Sequence, residues 1–316
     1  MTRPGFATQS GNATHAGDLK PAGDLNPAGD PSPTGDLKPA GDPNREGNVD
    51  PTGPLTAADS RKCGVLLVGH GTRDVRGTDE FFRLAELLRP EVAPWPVACG
   101  LLEFQRPTIA DGWRALVARG VTHVRVAPLL LFAAGHAKSD VPGAIAECRD
   151  APRDPTFDQA GPLSRHPAII RLLLRRLAEA IGDDLRGQPY GVVLVGRGSH
   201  DPCAQADLRL LAELVRHRMP LPPSRFATAF YAMAEPRLPE VLDRLIRDGC
   251  STVVVQPHLL FHGRLYEAIA RQCREAAERN VGARVICGPY LGVDEAVAQA
   301  VASRLLTRDA RGQCRH

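Results

Sequence analysis

Most restrictive for the fold of this chain is an internal repeat. Pro107 stands 21 residues before Pro128, and Pro236 stands 21 residues before Pro257. Gly120 to Pro128 and Gly249 to Pro257 both span 8 residues. Matching punctuation at three points marks a tandem duplication, so whatever one half folds into, the other must fold into as well.

Each half alternates short apolar runs with amphipathic segments. Gly64-Val65-Leu66-Leu67-Val68 is a continuous apolar run, the pattern of a parallel strand covered on both faces. Phe81, Leu84, Leu87 and Leu88 follow at helical spacing; Val97–Leu102 reads as a second strand, and 109–119 as a helix closed by Gly120. Val124–Leu131 is the third strand, with a helix expected after Val141-Pro142. The order recurs in Val192–Val195, a helix over 208–216, Phe226–Tyr231, a helix over 238–247 stopped by Gly249, and Val253–Pro257. Strand–helix alternation of this kind predicts an α/β fold with two doubly wound parallel-sheet domains, and 316 residues suffice for two. The expected domains are 61–185 and 186–308, followed by a tail over 309–316.

Residues 1–60 differ in kind. Gly-Asp recurs at 17, 23, 29, 35 and 41, a six-residue period in which Pro31 and Pro43 interrupt the leucines. A segment this rich in Gly, Pro, Asp and Asn cannot bury enough apolar surface to offset its ordering entropy, which predicts a disordered tail. The net charge of +3 is too small to argue for nucleic acid as a partner. The basic residues are overwhelmingly arginine, the better side chain for gripping carboxylates in a bidentate way. Eight cysteines with no C-x-x-C pair argue against a zinc ribbon or a cysteine-held iron–sulfur cluster. With no signal-peptide pattern and no membrane-length apolar run, the expectation is a soluble, cytoplasmic protein that binds neither nucleic acid nor membrane.

The chemistry sits in two strand-end motifs, Val68-Gly69-His70-Gly71-Thr72-Arg73-Asp74 and Phe132-Ala133-Ala134-Gly135-His136-Ala137-Lys138-Ser139-Asp140. Ligands of doubly wound sheets bind beyond the carboxyl ends of the strands. His70 follows the first strand, Glu103 the second, and His136 lies after the third, so all three fall on one rim. Two imidazoles and a carboxylate with an open position suit a divalent first-row metal that must be handed on, and the same groups can accept protons near neutral pH. Each residue alone has a blander explanation: a histidine at a strand end is commonly a hydrogen-bonded structural group, and Glu103 alone would be a surface carboxylate. Their coincidence at one topological edge, inside glycine-flanked turns, favours a site.

These motifs resemble those of the sirohydrochlorin chelatases of the small class II type. The resemblance rests on Gly69-His70-Gly71-Thr72-Arg73-Asp74 with Arg76-Gly77, on Leu102-Glu103 with Pro107, on Pro128-Leu129-Leu130-Leu131 leading to Gly135-His136, and on Asp140-Val141-Pro142. It covers about 63–305. It implies two flavodoxin-like, chelatase-like domains facing across a cleft. It also implies insertion of cobalt or ferrous iron into sirohydrochlorin, in cobalamin or sirohaem biosynthesis, with His70 and His136 as metal-binding and catalytic residues. Glu103 matches less securely as the third member, and Ala137 stands where the family often has a second histidine. No permanent cofactor is expected, only the metal substrate, and no phosphate-binding loop of the G-x-x-x-x-G-K-[ST] type is present to couple ATP.

The second half has lost these groups: Arg197 stands where His70 stood, Ala232 where Glu103 stood, and Arg264 where His136 stood. Sirohydrochlorin, the substrate implied by the resemblance, carries eight carboxylates. Arg73, Arg197 and Arg264 are therefore expected to hold them, leaving the pyrrole nitrogens over the imidazoles. The plainer alternative is that Arg197 and Arg264 only mark a decayed repeat. His200, His258 and His262 lie near the second rim; a further metal site there, or a core role for His258, is open. The chain is expected to act as a monomer. Competing functions are a protohaem-type ferrochelatase and a non-catalytic tetrapyrrole- or metal-carrying module. His70-Gly71-Thr72 is also similar to the core of histidine phosphatases, which need arginine where Gly69 stands.

Overall fold

The computed structural model describes residues 63–132, 140–149, 154–183, 185 and 188–307. The Gly-Asp repeat over 1–60 and the tail over 309–316 lie outside them, as does His136.

The first half runs β1 (Cys63–Gly69), α1 (Val75–Glu91), β2 (Val97–Leu101), α2 (Ile109–Val117), β3 (His123–Pro128), α3 (Val141–Ala146), β4 (Thr156–Gln159) and α4 (Pro167–Ile181). The second runs β5 (Gly191–Gly196), α5 (Pro202–Arg216), β6 (Phe226–Phe230), α6 (Leu238–Arg247), β7 (Thr252–Pro257), α7 (Arg264–Arg279), β8 (Arg284–Cys287) and α8 (Glu295–Leu306). Two four-stranded sheets result, ordered β2-β1-β3-β4 and β6-β5-β7-β8, with every pairing parallel. The duplication is therefore structural. Even the non-glycine residues with positive φ recur in equivalent turns, Phe104 at 68° and Met233 at 60°.

Local signals explain the helix limits. Asp74 caps α1 by accepting from the Arg76 N–H at 2.9 Å. Thr108 and Asp111 form a reciprocal capping box at the start of α2. Gly120 and Gly249, at φ of 75° and 93°, turn the chain after α2 and α6, a left-handed conformation that glycine adopts without a side-chain clash.

The central strands are buried throughout, and their two faces belong to different cores. Leu66 and Val68 of β1 pack on Trp113 and Leu116 of α2, a cluster confined to the first half. Val193 and Val195 of β5 pack likewise on Leu242 and Leu245 of α6. The alternate residues, Val65 and Leu67 with Val192 and Leu194, enter one core continuous across both halves. The helices within this shared layer are exchanged. α4, from the first half, lies against β7, whereas α8, from the second, lies against β3 and α1. Each half thus covers the inner face of the other's sheet, which fixes how the two carboxyl rims face each other.

Candidate functional site

Strand order reverses between β1 and β3 in one sheet and between β5 and β7 in the other, and such switch points open a crevice at the carboxyl ends of the strands. Here the two crevices merge into one cavity of about 680 Å³. Gly69–Thr72 after β1 and Leu129–Phe132 after β3 form one side; Arg197–Asp201 after β5 and His258–His262 after β7 form the other. Leucine and phenylalanine are the commonest apolar residues of its walls, and a volume of this size is typical of sites for small organic ligands.

His70 lines this cavity. Its backbone is fixed by the turn that follows: the Glu103 N–H donates to the His70 carbonyl at 3.0 Å, and Gln105 Nε2 donates to the Thr72 carbonyl at 2.9 Å. Gly71 has φ of 87°, and a Cβ there would fall 2.1 Å from the Glu103 carbonyl oxygen. The β1 and β2 turns are therefore in contact, which brings Glu103 beside His70 at the level of the backbone. The Glu103 side chain is exposed on the rim and is not among the groups lining the cavity. Arg73 is likewise exposed and outside the lining, its guanidinium 5.0 Å above the Phe104 ring. Of the expected metal set, the structure sets His70 in the cavity and Glu103 at its margin.

The second half repeats the construction around arginine. Arg197 lines the cavity, its carbonyl accepts from the Ala232 N–H at 2.9 Å, and Gly198 has φ of 90° with its missing Cβ aimed at the Ala232 carbonyl oxygen. Among the described residues Arg197 is the arginine that lines the cavity. Arg264 is exposed at the first position of α7, outside the lining.

Two histidine arrangements go beyond the sequence expectations. His258, 2 % exposed, lines the cavity and packs its ring 5.3 Å from Phe132. Its Nε2 is 2.9 Å from Ser164 Oγ, and burial pushes its pKa down to about 3, so the ring is neutral. His262 reaches across to the first half, where Nδ1 donates to Asp74 Oδ2 at 2.8 Å and the backbone N–H donates to Glu80 Oε2 at 2.7 Å. Asp74, His262 and Glu267 offer three donor atoms within 4.8 Å of one another, the one such group among the described residues. The strand-end positions of His258 and His262 were legible in sequence. Their partners were not, because Ser164 and Asp74 lie 94 and 188 residues away.

The sequence matches the CbiX family over residues 64–180 and again over 191–308, once for each half. This chain belongs to that family of sirohydrochlorin chelatases. It is 31 % identical over 249 residues to the sirohydrochlorin ferrochelatase of Bacillus subtilis (strain 168), covering 77 % of this chain and 91 % of that protein. It is 32 % identical over 217 residues to the sirohydrochlorin cobaltochelatase of Priestia megaterium, covering 67 % and 68 %. The solved structure of SirB from Bacillus subtilis with Fe3+ superposes with a TM-score of 0.70 at 29 % identity, covering 80 % of this chain and 98 % of that one. The tandem α/β architecture expected from the residue patterns, chelatase-like as the resemblance implied, is thus the architecture of the family.

Proposed function

We infer that this CbiX-family chain is a sirohydrochlorin chelatase, inserting cobalt or ferrous iron into the macrocycle without ATP, in cobalamin or sirohaem biosynthesis. The observation that carries this reading is one cavity lined by His70 from the first repeat and by Arg197 at the equivalent position of the second. An imidazole suits the metal, and a guanidinium suits the acidic periphery of the ring.

On this reading residues 61–185 carry the chemistry and 186–308 the grip. His70, His136 and Glu103 hold the ion, with water in the remaining positions. The macrocycle enters between the leucine and phenylalanine walls, whose apolar faces match its flat faces and exclude water. Exclusion of water strengthens a charge pair between Arg197 and a ring carboxylate. Arg73 and Arg264, exposed around the cavity, hold carboxylates that project beyond it. The ion passes to the ring nitrogens as two pyrrole N–H protons leave in turn, with His136 or Glu103 the base that takes each one and releases it to water. No permanent cofactor takes part; the ion is a substrate.

Both walls come from a single polypeptide, which supports an enzyme acting as a monomer. No helix among the described residues is long and apolar enough to cross a membrane, and we place the enzyme in the cytoplasm with neither membrane nor nucleic acid as a partner. Anaerobic mixing with sirohydrochlorin and Co²⁺ or Fe²⁺, in the absence of ATP, tests the activity through the visible absorption of the macrocycle. Conversion to the metallated spectrum at a rate proportional to protein is expected; a rate no faster than without protein overturns the assignment.

A further inference from the structure

We propose that His262 and Glu267, with Asp74 orienting the imidazole, form a second divalent-metal site, built where the two halves meet beside the cavity. The three residues come from separate segments: Asp74 from the cap of α1, His262 from the loop after β7 and Glu267 from the first turn of α7. Asp74 Oδ2 accepts from His262 Nδ1 at 2.8 Å, which places the ring proton on Nδ1 and leaves the Nε2 lone pair facing away. Carboxylates hold metal-ligating histidines in this way, fixing tautomer and ring orientation together. Glu267 Oε1 lies 3.8 Å from Nε2. Two donors sharing one ion at bond lengths of about 2.1 Å stand roughly 3.0–3.4 Å apart, so Glu267 has to close by about half an ångström.

The imidazole is held in place. The Glu80 carboxylate accepts from the His262 backbone N–H and from the Tyr290 hydroxyl. The Tyr266 and Tyr290 rings stand edge-on to the imidazole, at 5.8 and 6.0 Å. A Cβ on Gly77 would lie 2.5 Å from the His262 carbonyl oxygen, so α1 is pressed against this loop. The Glu267 side chain, by contrast, is 60 % exposed and leaves an approach from solvent with room for water ligands. Arg76 Nη1 stands 3.4 Å from Nε2, a positive charge among these carboxylates in the place the ion would take. Arg76 is exposed, and its long side chain can swing away.

The duplication marks the same place independently. Leu129-Leu130-Leu131-Phe132-Ala133 is the counterpart of His258-Leu259-Leu260-Phe261-His262, so the imidazole stands where the first repeat has alanine. The second half lost the histidines equivalent to His70 and His136 and carries one at a new place. An imidazole with a carboxylate and water is a donor set for first-row divalent ions rather than for magnesium or soft monovalent copper. His262 and His70 both line the cavity, so the site can stage an ion for insertion; that role, unlike binding itself, rests on the chelatase reading.

The test titrates the metal-free full-length protein with Co²⁺ alone, followed by calorimetry and visible absorption. Wild type is expected to bind one more ion than His262→Ala, and Glu267→Gln is expected to weaken that ion at least tenfold with an unchanged circular dichroism spectrum. Arg76→Gln is expected to bind it at least as tightly as wild type, and His70→Ala to retain it. Wild-type stoichiometry and affinity in both His262→Ala and Glu267→Gln would overturn the site. Should His262→Ala fail to fold, the exposed Glu267 position decides alone. If the wild type inserts no metal yet Glu267→Gln still loses an ion, the site stands and only its staging role falls.

Discussion

Replacing Gly71 by alanine perturbs the one backbone junction that sets His70 against Glu103. The new Cβ would lie 2.1 Å from the Glu103 carbonyl oxygen and 3.0 Å from its carbonyl carbon, and backbone atoms cannot yield as a side-chain tip can. A residue with a side chain held at φ of 87° costs about 1–2 kcal/mol. Separating the turns also breaks the hydrogen bond from the Glu103 N–H to the His70 carbonyl, worth about 1 kcal/mol net. A total of about 2–3 kcal/mol corresponds to roughly 4–12 °C in melting temperature for a chain of this size. The same shift moves His70 relative to Glu103 by about an ångström, enough to lower turnover about a hundredfold. Gly198→Ala is the control, since its Cβ meets the Ala232 carbonyl in the same way beside Arg197. Thermal melts combined with a chelation assay should show similar destabilisation in both variants, a collapsed kcat in Gly71→Ala, and mainly a raised KM in Gly198→Ala. Equal loss of kcat in the two, or no loss of stability in either, would refute the reasoning.

Further consequences are measurable. Because burial holds His258 at about 3, the unfolded chain binds a proton between that value and about 6.5 that the folded chain does not. Stability is therefore lost on acidification, by about 2 kcal/mol between pH 6.5 and 5. Urea midpoints of His258→Gln should lack this component, and an unchanged pH dependence would contradict it. Arg125 on β3, 4 % exposed, is paired with Asp158 at 3.1 Å, so Asp158→Asn leaves a buried cation unmatched and should cost roughly 3–5 kcal/mol in chemical denaturation. Burial alone would raise the Asp158 pKa, but hydrogen bonds from His123 and Arg125 and the Arg125 charge hold it below the ordinary value. Its contribution is thus present above the unfolded carboxylate pKa and lost as pH falls through the depressed folded one. Finally, the exchange of α4 and α8 predicts that residues 61–185 expressed alone give no cooperative melt, whereas co-expression with 186–308 restores one.

The repeat, the central strands and the helix stops were legible because each has a local cause: continuous apolar runs, helical spacing, and glycine at the turn. The edge strands β4 and β8 escaped notice because Thr156-Phe157-Asp158-Gln159 and Arg284-Val285-Ile286-Cys287 are short and mix polar with apolar residues. The helix exchange was hidden for a different reason. α4 and α8 are amphipathic whichever sheet they cover, and only three-dimensional packing chooses between the two. At the site, strand-end position picked out His70 and Arg197, both of which line the cavity. The same logic placed Arg264 and Arg73 near the rim without distinguishing lining from periphery, which depends on where an exposed side chain points. The Asp74–His262 pair could not be read from either repeat alone, because it exists only where they meet.

On the proposed function the repeats divide the work, imidazole chemistry in one and carboxylate grip in the other. Steady-state insertion of Co²⁺ into sirohydrochlorin by His70→Ala and Arg197→Ala, each resolved into kcat and KM, tests it most directly. His70→Ala is expected to lose insertion while still quenching or shifting the spectrum of bound macrocycle, and Arg197→Ala to raise KM about tenfold with kcat nearly intact. An Arg197→Ala enzyme indistinguishable from wild type, or a His70→Ala enzyme that inserts metal at the normal rate, would contradict it.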